Sequence, residues 1–449
     1  MRKLFGTDGI RGVAGQYPLD KKTVYAIGLA LAHSLRKHLP NPRVMLGMDT
    51  RASGVEIAAM LTHGLREGGV QTTSAGVIPT PGVAYLARTR GFAAGIVISA
   101  SHNPWQDNGI KIFGGDGYKL ADAVELGIEQ EIFSRLEQTA EPDVPATEAP
   151  KTDPSLPMAY IDFLRNQVPD LRLDGKTIVV DCANGAASAI APRLLAHFGG
   201  NIVLTHASPN GRNINEHCGA LHPEVVAQEV LSRKADVGMT FDGDADRALF
   251  ADEHGKVVNG DAVLLIAARD LHARDLLQAN MVVATTMSNM GLEAALRNHE
   301  IKMLRAPVGD KYVLEEMQRN GAVLGGEQSG HMLFLDRSTT GDGMMTALLV
   351  LDILQRSGES LSTLTKDLKV FPQVIVNVRV REKQPLETLP AVVAAIRDAD
   401  AELAGNGRVV VRYSGTEALA RVMIEAESEN LMRRHADRIA DAIRAELGV

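Results

Sequence analysis

Val237-Gly238-Met239-Thr240-Phe241-Asp242-Gly243-Asp244-Ala245-Asp246-Arg247 joins a short apolar run to three carboxylates at alternate positions, spaced by small residues and closed by an arginine. The segment Asp236 to Phe241, with Val237, Met239 and Phe241, has the character of a strand. Alternate side chains of an extended chain point the same way, so a loop at the strand end can converge Asp242, Asp244 and Asp246 on one point. Three crowded carboxylates repel one another unless a positive charge sits between them. A hard divalent cation with oxygen ligands is the natural partner. Mg²⁺ keeps open positions for water and commonly shares itself with a substrate phosphate, so the loop points to phosphate chemistry. A solvated acidic turn is the plainer alternative. An EF-hand calcium loop is the sharper one, because Asp242, Asp244, Asp246 and Glu253 fall at its positions 1, 3, 5 and 12. Position 6 of that motif needs glycine and here holds Arg247, and the flanks Val237–Phe241 and Ala248–Asp252 read as strands where helices are required. The calcium loop is excluded.

The same rhythm recurs on either side. Val44-Met45-Leu46-Gly47-Met48-Asp49, Ile178-Val179-Val180-Asp181 and Met281-Val282-Val283-Ala284-Thr285 are short apolar runs, each followed by a turn and a helical stretch. About 40 to 60 residues after each comes a second apolar run that opens into a polar loop. Gly95–Ser99 leads into Ser101-His102-Asn103-Pro104, Val237–Phe241 into the aspartate loop, and Val323-Leu324 into Gly325-Gly326-Glu327-Gln328-Ser329-Gly330-His331. Strands alternating with helices predict parallel α/β units, whose ligands bind at the carboxyl ends of the strands. The expected fold class is therefore α/β: three related α/β domains with mixed, mainly parallel sheets, plus a smaller C-terminal α+β domain. The boundaries read as 1–150, 158–254, 255–368 and 372–449. A proline-rich connection, Glu141 to Pro157, marks the first of them. The alternating run Val374, Val376, Val378, Val380 opens the last domain, and Ile439, Ile443 and Leu447 form one apolar helical stripe for its core.

Composition narrows the function class. The 449 residues are 45% hydrophobic and 23% charged, with material for real cores. A net charge of −8 argues against nucleic acid or an anionic membrane as partner. No stretch approaches the roughly 18 uninterrupted apolar residues of a membrane span, and Met1 to Gly9 lacks the apolar core of a signal peptide. A cytoplasmic protein is expected; a homodimer stays open. Two cysteines, Cys182 and Cys218, are too few for a disulfide framework. As metal ligands they would need companions at close spacing, and they read instead as buried thiols.

Three further loops carry chemistry. In Ile98-Ser99-Ala100-Ser101-His102-Asn103-Pro104 a serine stands where a strand stops. A Ser–His hydrolase is disfavoured, since adjacent side chains are not expected to face one another and the G-x-S-x-G elbow is absent. Beside a Mg²⁺ loop, Ser101 fits better as a phosphate carrier, because a phosphoserine brings nearly two negative charges and three acceptor oxygens to a cation held by Asp242, Asp244 and Asp246. Lys111, ten residues on, would stabilise charge there, and with a lowered pKa it could move protons. Arg412-Tyr413-Ser414-Gly415-Thr416-Glu417, with Arg421 close behind, offers guanidinium groups, hydroxyls and accessible backbone N–H groups as an anion cradle. Glu327, Ser329 and His331 put a carboxylate, a hydroxyl and an imidazole on one loop suited to sugar hydroxyls.

Taken in order, Ser-Ala-Ser-His-Asn-Pro, Asp-Gly-Asp-x-Asp-Arg, Gly-Glu-x-Ser-Gly-His and Arg-x-Ser-Gly-Thr-Glu make the chain resemble the α-D-phosphohexomutases from end to end. The resemblance implies four domains around a central cleft, with a phosphoserine at Ser101 and one Mg²⁺ on Asp242, Asp244, Asp246 and the serine phosphate. It assigns sugar recognition to Glu327 and Ser329, and phosphate binding to Arg412, Ser414, Gly415, Thr416 and Arg421. Arg11, Lys111 and Arg247 match family positions close to the phosphoserine, and His331 joins them as a catalytic candidate. Phe5-Gly6-Thr7-Asp8-Gly9-Ile10-Arg11-Gly12, Asn213-Ile214-Asn215 with Cys218-Gly219, and Thr339-Thr340-Gly341-Asp342-Gly343 favour the amino-sugar branch of the family. The small-molecule partner is then a phosphosugar, and the reaction interconverts glucosamine 6-phosphate and glucosamine 1-phosphate through a 1,6-bisphosphate, feeding amino-sugar nucleotide and cell-wall precursor synthesis. A phosphomannomutase/phosphoglucomutase is the nearest alternative; a Mg²⁺-dependent phosphatase or an idle sugar-phosphate binder stands further off. The chain departs from the family at Tyr413 and Ala418, where proline is usual, and at Ala245, where glycine is common.

Overall fold

A computed structural model describes residues 4–6, 8–138, 150–403, 405–413 and 418–448. The first sheet holds β1 (Ile10–Val13), β2 (Arg43–Met48), β3 (Gln71–Val77), β4 (Ala94–Ile98) and β5 (Asp107–Gly114), in the order β1-β5-β4-β2-β3. The central strands β3, β2 and β4 run parallel, while β5 and β1 add antiparallel at one edge. β4 is buried along its whole length, as an apolar run covered on both faces should be. Val44, Leu46, Ile96 and Ile98 pack with the helices Lys21–Arg36 and Gly54–Glu67. On the opposite face Gly47 and Gly95 leave room for the helix Thr80–Thr89; a Cβ on Gly95 would stand 2.8 Å from a Val83 methyl.

The second sheet repeats that plan with β6 (Thr177–Asp181), β7 (Asn201–Thr205), β8 (Val237–Phe241), β9 (Ala248–Ala251) and β10 (Val257–Val258), in the order β10-β9-β8-β6-β7. The third holds β11 (Met281–Thr285), β12 (Lys302–Ala306), β13 (Leu324–Gly326) and β14 (Met332–Phe334), ordered β12-β11-β13-β14. In each sheet a parallel inner strand turns back into an antiparallel neighbour: β4 into β5, β8 into β9, β13 into β14. Those three turns carry Ser101, the aspartates and Glu327. The polar loops thus occupy one equivalent place in three related α/β layers, as expected from the repeated rhythm of apolar run and polar loop.

The fourth sheet is wholly antiparallel: β15 (Gln373–Arg379), β16 (Gly407–Tyr413) and β17 (Leu419–Ala426), in the order β15-β17-β16. The helices Pro390–Leu403 and Glu429–Leu447 share its core, with Ile439, Ile443 and Leu447 buried against Val422 and Ile424. By packing, the chain forms two compact units, residues 1–287 with 303–365, and residues 288–302 with 366–449. Two elements differ from expectation. The helix Ser155–Arg165 begins inside the proline-rich connection, because a proline in the first turn of a helix sacrifices no intrahelical bond. β16 continues through Arg412 and Tyr413, which sequence alone assigned to the loop. Among the described residues no helix is long and apolar enough to cross a membrane.

The helices Lys21–Arg36 and Gly54–Glu67 cross at Gly28 and Gly64, and a Cβ on Gly28 would lie 2.5 Å from the Leu61 carbonyl oxygen. Gly28→Ala should therefore separate the pair and cost about 1–3 kcal/mol, outweighing alanine's better helix propensity. A thermal unfolding midpoint at or above that of wild type would contradict this packing.

Candidate active site

Ser101 leaves β4 with φ +53°, a left-handed conformation, and its side chain is buried. Its hydroxyl donates to Asp242 Oδ2 at 2.6 Å, and its backbone N–H donates to Ser99 Oγ at 2.9 Å. Ser99 in turn donates to Asp49 Oδ2 at 2.6 Å. The loop is gripped from outside as well. Arg51, fully buried and ion-paired to Asp49, donates to the Ser101 carbonyl at 3.1 Å. Asn215 Nδ2 bridges the carbonyls of Ser101 and Asn103 at 2.9 and 3.1 Å. Gly243 lies so close to the Ser101 carbonyl that no side chain fits at that position.

Asp242, Asp244 and Asp246 converge as expected, all buried, each offering a carboxylate oxygen within 4.8 Å of the others. Burial, reinforced by Asp246 and Asp244, pushes the Asp242 carboxyl well up from its ordinary range. Asp244 Oδ1 and Asp246 Oδ1 are buried without a hydrogen-bond partner. Mutual repulsion together with buried unsatisfied oxygens is what a site shaped for a cation shows. The donor set is all carboxylate, so the three residues fit a hard divalent ion.

Lys111 Nζ is buried beside the same group, 2.9 Å from Asp244, 2.9 Å from Asp8 and 3.6 Å from Asp246. Burial opposes its charge, but the three carboxylates prevail and hold its pKa well above the usual value. Lys111 is thus held as a cation, which suits the charge-stabilising role and not the proton transfer that a lowered pKa would have allowed. Beyond it runs a chain of alternating charge. Asp8 pairs with Arg11 and with Lys119 at 2.6 Å, Lys119 reaches Asp310 at 2.6 Å, and Asp310 lies 3.8 Å from His331 Nε2. His331 Nδ1 is 3.5 Å from Asp246. Burial works against imidazolium there, yet Asp246 and Asp310 raise His331 to about 9.

Asp8, Arg11, Ser101, His102, Asp246, Arg247, Asp310, Glu327 and His331 line one cavity of about 400 Å³. Glu327 accepts from the Gly309 N–H at 3.1 Å. Of the residues expected from sequence, Ser101, Arg11, Arg247, Asp246, Glu327 and His331 border this space, with Lys111, Asp242 and Asp244 beneath it. Ser329 is exposed and outside the lining. Sequence reading missed His102, whose Nδ1 is 3.2 Å from Ser101 Oγ; the positive φ at Ser101 turns two adjacent side chains toward each other, against the expectation that they would not face. Burial, with Arg247 and Arg11 nearby, lowers His102 to about 4 and keeps it neutral. Asp8, Lys119 and Asp310 were missed too, and only Asp8 stood within a quoted motif. Ser414, Gly415 and Thr416 lie outside the described residues.

In the C-terminal unit, Arg412 of β16 stands directly opposite Arg421 of β17. Two residues further along each strand toward the sheet's other end the register gives Val410↔Met423, and then Arg408↔Glu425, which form an ion pair at 2.7 Å. Like charges facing across a sheet destabilise it unless a counter-charge offsets them. Tyr413 anchors the end of β16 by donating to the Gln384 carbonyl at 2.5 Å.

Comparison with known proteins accords with this geometry. Models of the phosphoglucomutase/phosphomannomutase α/β/α domains I, II and III match residues 2–139, 158–255 and 259–371, and that of the C-terminal domain matches 375–442. The chain belongs to the phosphoglucomutase/phosphomannomutase family. It is 58% identical to a phosphoglucosamine mutase of Koribacter versatilis, over 100% of this chain and 98% of that one. To the phosphoglucosamine mutase of Solibacter usitatus it is 53% identical, over 100% and 99%. A crystal structure of a phosphoglucomutase/phosphomannomutase family protein from Burkholderia thailandensis superposes with a TM-score of 0.79 at 25% identity over the whole of both chains. Aspergillus fumigatus N-acetylphosphoglucosamine mutase, solved with GlcNAc-6P and magnesium, shares the fold with a TM-score of 0.66 at 19% identity, over 99% of this chain and 96% of that one.

The start of the helix Gly343–Ser357 supplies a pH test. Asp342 caps the helix Gly343–Ser357 by accepting from Met345 N–H at 2.9 Å, and it accepts from Tyr160 OH at 2.9 Å. Burial, eased by those bonds, pushes its carboxyl up to about 6. A carboxyl whose pKa is raised on folding contributes stability that is full below about 3.9, its unfolded value, and lost as pH rises through the folded value. Asp342→Asn keeps an accepting oxygen but cannot ionise. The variant should gain on wild type as pH rises from about 4 to about 6 and keep that gain above it, by on the order of 2–3 kcal/mol at most. A difference in urea midpoint that does not change with pH would contradict this.

Proposed function

We propose that the chain interconverts glucosamine 6-phosphate and glucosamine 1-phosphate, with Ser101 as the phosphoryl carrier. The observation that carries this is the hydrogen bond from Ser101 Oγ to Asp242, which sets the buried hydroxyl at the end of β4 against the acidic triad and on the wall of the cavity. Asp242, Asp244 and Asp246 would hold Mg²⁺, which when bound supplies positive charge beside the transferring group. Phosphoryl transfer depends chiefly on in-line positioning and charge neutralisation. Arg51 and Asn215 fix the backbone of the carrier loop, while Lys111, Arg247 and Arg11 neutralise oxygens of the phosphoryl group.

In the forward direction the phosphoserine gives its phosphoryl group to O1 of glucosamine 6-phosphate. The 1,6-bisphosphate turns over, Ser101 recovers a phosphoryl group from O6, and glucosamine 1-phosphate leaves. Neutral His102 beside Ser101 is placed to take the sugar hydroxyl proton, and protonated His331, which lines the same cavity, is placed to give one. Glu327 accepts from ring hydroxyls, and the resemblance to the family assigns Arg412 and Arg421 to phosphate. Identity above 50% to two phosphoglucosamine mutases favours the amino sugar over mannose or glucose phosphates.

A ³¹P NMR time course with Mg²⁺ and each of the three hexose 6-phosphates tests the assignment. Glucosamine 1-phosphate should accumulate fastest, without inorganic phosphate. Net phosphate release would identify a phosphatase, and equal or faster turnover of mannose 6-phosphate would move the chain to the other branch. Ser101→Ala should lose about 10³-fold or more of the activity, as removal of a covalent carrier does, and should lack the phosphate adduct that intact mass shows for wild type. Arg421→Ala should raise KM about tenfold for every phosphosugar alike; a defect confined to one sugar would refute a role in reading phosphate.

A further inference from the structure

At the carboxyl edge of the second sheet lies a second cluster that the phosphoryl chemistry leaves unused. Asp181 ends β6, His206 follows β7, and Cys218 precedes the turn Gly219–Leu221. One carboxylate oxygen, one imidazole nitrogen and the thiol sulfur lie within 4.8 Å of one another. Asp181 and Cys218 are fully buried, while the His206 side chain is 32% exposed, so the cluster has one wall open to water. Sequence spacing could not reveal it, because its members come from three separate loops.

Three features distinguish the cluster from ordinary packing. His206 adopts φ +44°, an unfavourable backbone for a residue with a Cβ, and its carbonyl is fixed by the Asn184 N–H at 2.6 Å. Its Nδ1 is buried and paired with Asp181 Oδ1 at 3.2 Å, so both groups already point at one another. Two ligands bound at about 2.1 Å to a tetrahedral ion stand about 3.4 Å apart, close to that separation. The Asp181 carboxylate is already oriented, accepting from the N–H groups of Ala183 and Gly219 at 2.9 Å each; ligating carboxylates are commonly held in that way.

We propose that Asp181, His206 and Cys218 bind one thiophilic divalent cation of the Zn²⁺ class, with water at the position facing solvent. The donor set chooses the ion: one oxygen, one imidazole nitrogen and one sulfur suit Zn²⁺ and disfavour Mg²⁺ and Ca²⁺. On binding, the S–H bond of Cys218 breaks, sulfur bonds to the metal and the proton leaves to water through the His206 side. Thiolate and carboxylate then balance the dication. The site bears on the carrier loop, because Ala183 accepts from the Asn215 N–H at 2.9 Å and the Asn215 side chain holds the Ser101 carbonyl.

Co²⁺ titration of EDTA-treated, reduced full-length protein tests the proposal, with excess Mg²⁺ present to occupy the aspartate loop. One equivalent of Co²⁺ should bind with a thiolate-to-metal charge-transfer band and release about one proton per ion. Cys218→Ser should lose the band, His206→Ala should weaken binding by about tenfold or more, and Asp244→Asn should leave the band intact. Absence of the band in wild type at saturating Co²⁺ would overturn the site, whether or not the variants fold. A band that persists in Cys218→Ser would overturn it as well.

Discussion

Burial of three like charges within a few ångströms of one another is the constraint on which the rest of this molecule depends. Asp242, Asp244 and Asp246 repel one another in a region from which water is largely excluded, where charges interact far more strongly than in solution. The chain meets that cost with fixed cations: Lys111 lies among the aspartates, with Arg247 beside them. The residual imbalance draws the hydroxyl of Ser101 onto Asp242 and is of the kind a hard metal ion would relieve. The carboxylates hold His331 protonated, while burial, aided by Arg247 and Arg11, keeps His102 neutral. Two histidines of opposite proton occupancy thus line a single cavity.

Holding such a group together demands a rigid frame. Each polar loop turns an inner parallel strand into an antiparallel one, so backbone hydrogen bonds fix both ends of every loop. Packing then removes what freedom is left. Gly243 sits against the Ser101 carbonyl, Gly341 against the His331 ring, and Arg51 is buried outright to hold two carbonyls of the carrier loop. A buried arginine is costly unless paired, and Asp49 pairs it.

The fold was legible where its signals are local. Apolar runs such as Val237–Phe241 and Met281–Thr285 became strands with the expected bounds, and the stripe Ile439, Ile443, Leu447 became core. The aspartates were legible because their convergence follows from strand geometry over five residues. The resemblance to phosphohexomutases supplied roles that spacing alone left open, above all for Ser101 and Arg421. What escaped depends on distant partners or unusual backbone. Lys119 links Asp8 to Asp310, 111 and 191 residues away in sequence, and nothing near Lys119 announces either partner. Ser101 and His102 face each other only through a positive φ that serine seldom adopts. The charge state of Lys111 could not be read at all, since it is decided by which carboxylates the fold brings around it.

The central claim is that Ser101 passes a phosphoryl group to and from the sugar under the control of the aspartate triad. Protein carrying ³²P on Ser101, mixed in rapid quench with unlabelled glucosamine 6-phosphate and Mg²⁺, measures that step directly. The account predicts that label leaves the protein within one turnover, appears in the 1,6-bisphosphate and then in glucosamine 1-phosphate, and stays on the protein when EDTA replaces Mg²⁺. Label that remains on the protein throughout turnover, or that emerges as inorganic phosphate, would contradict it.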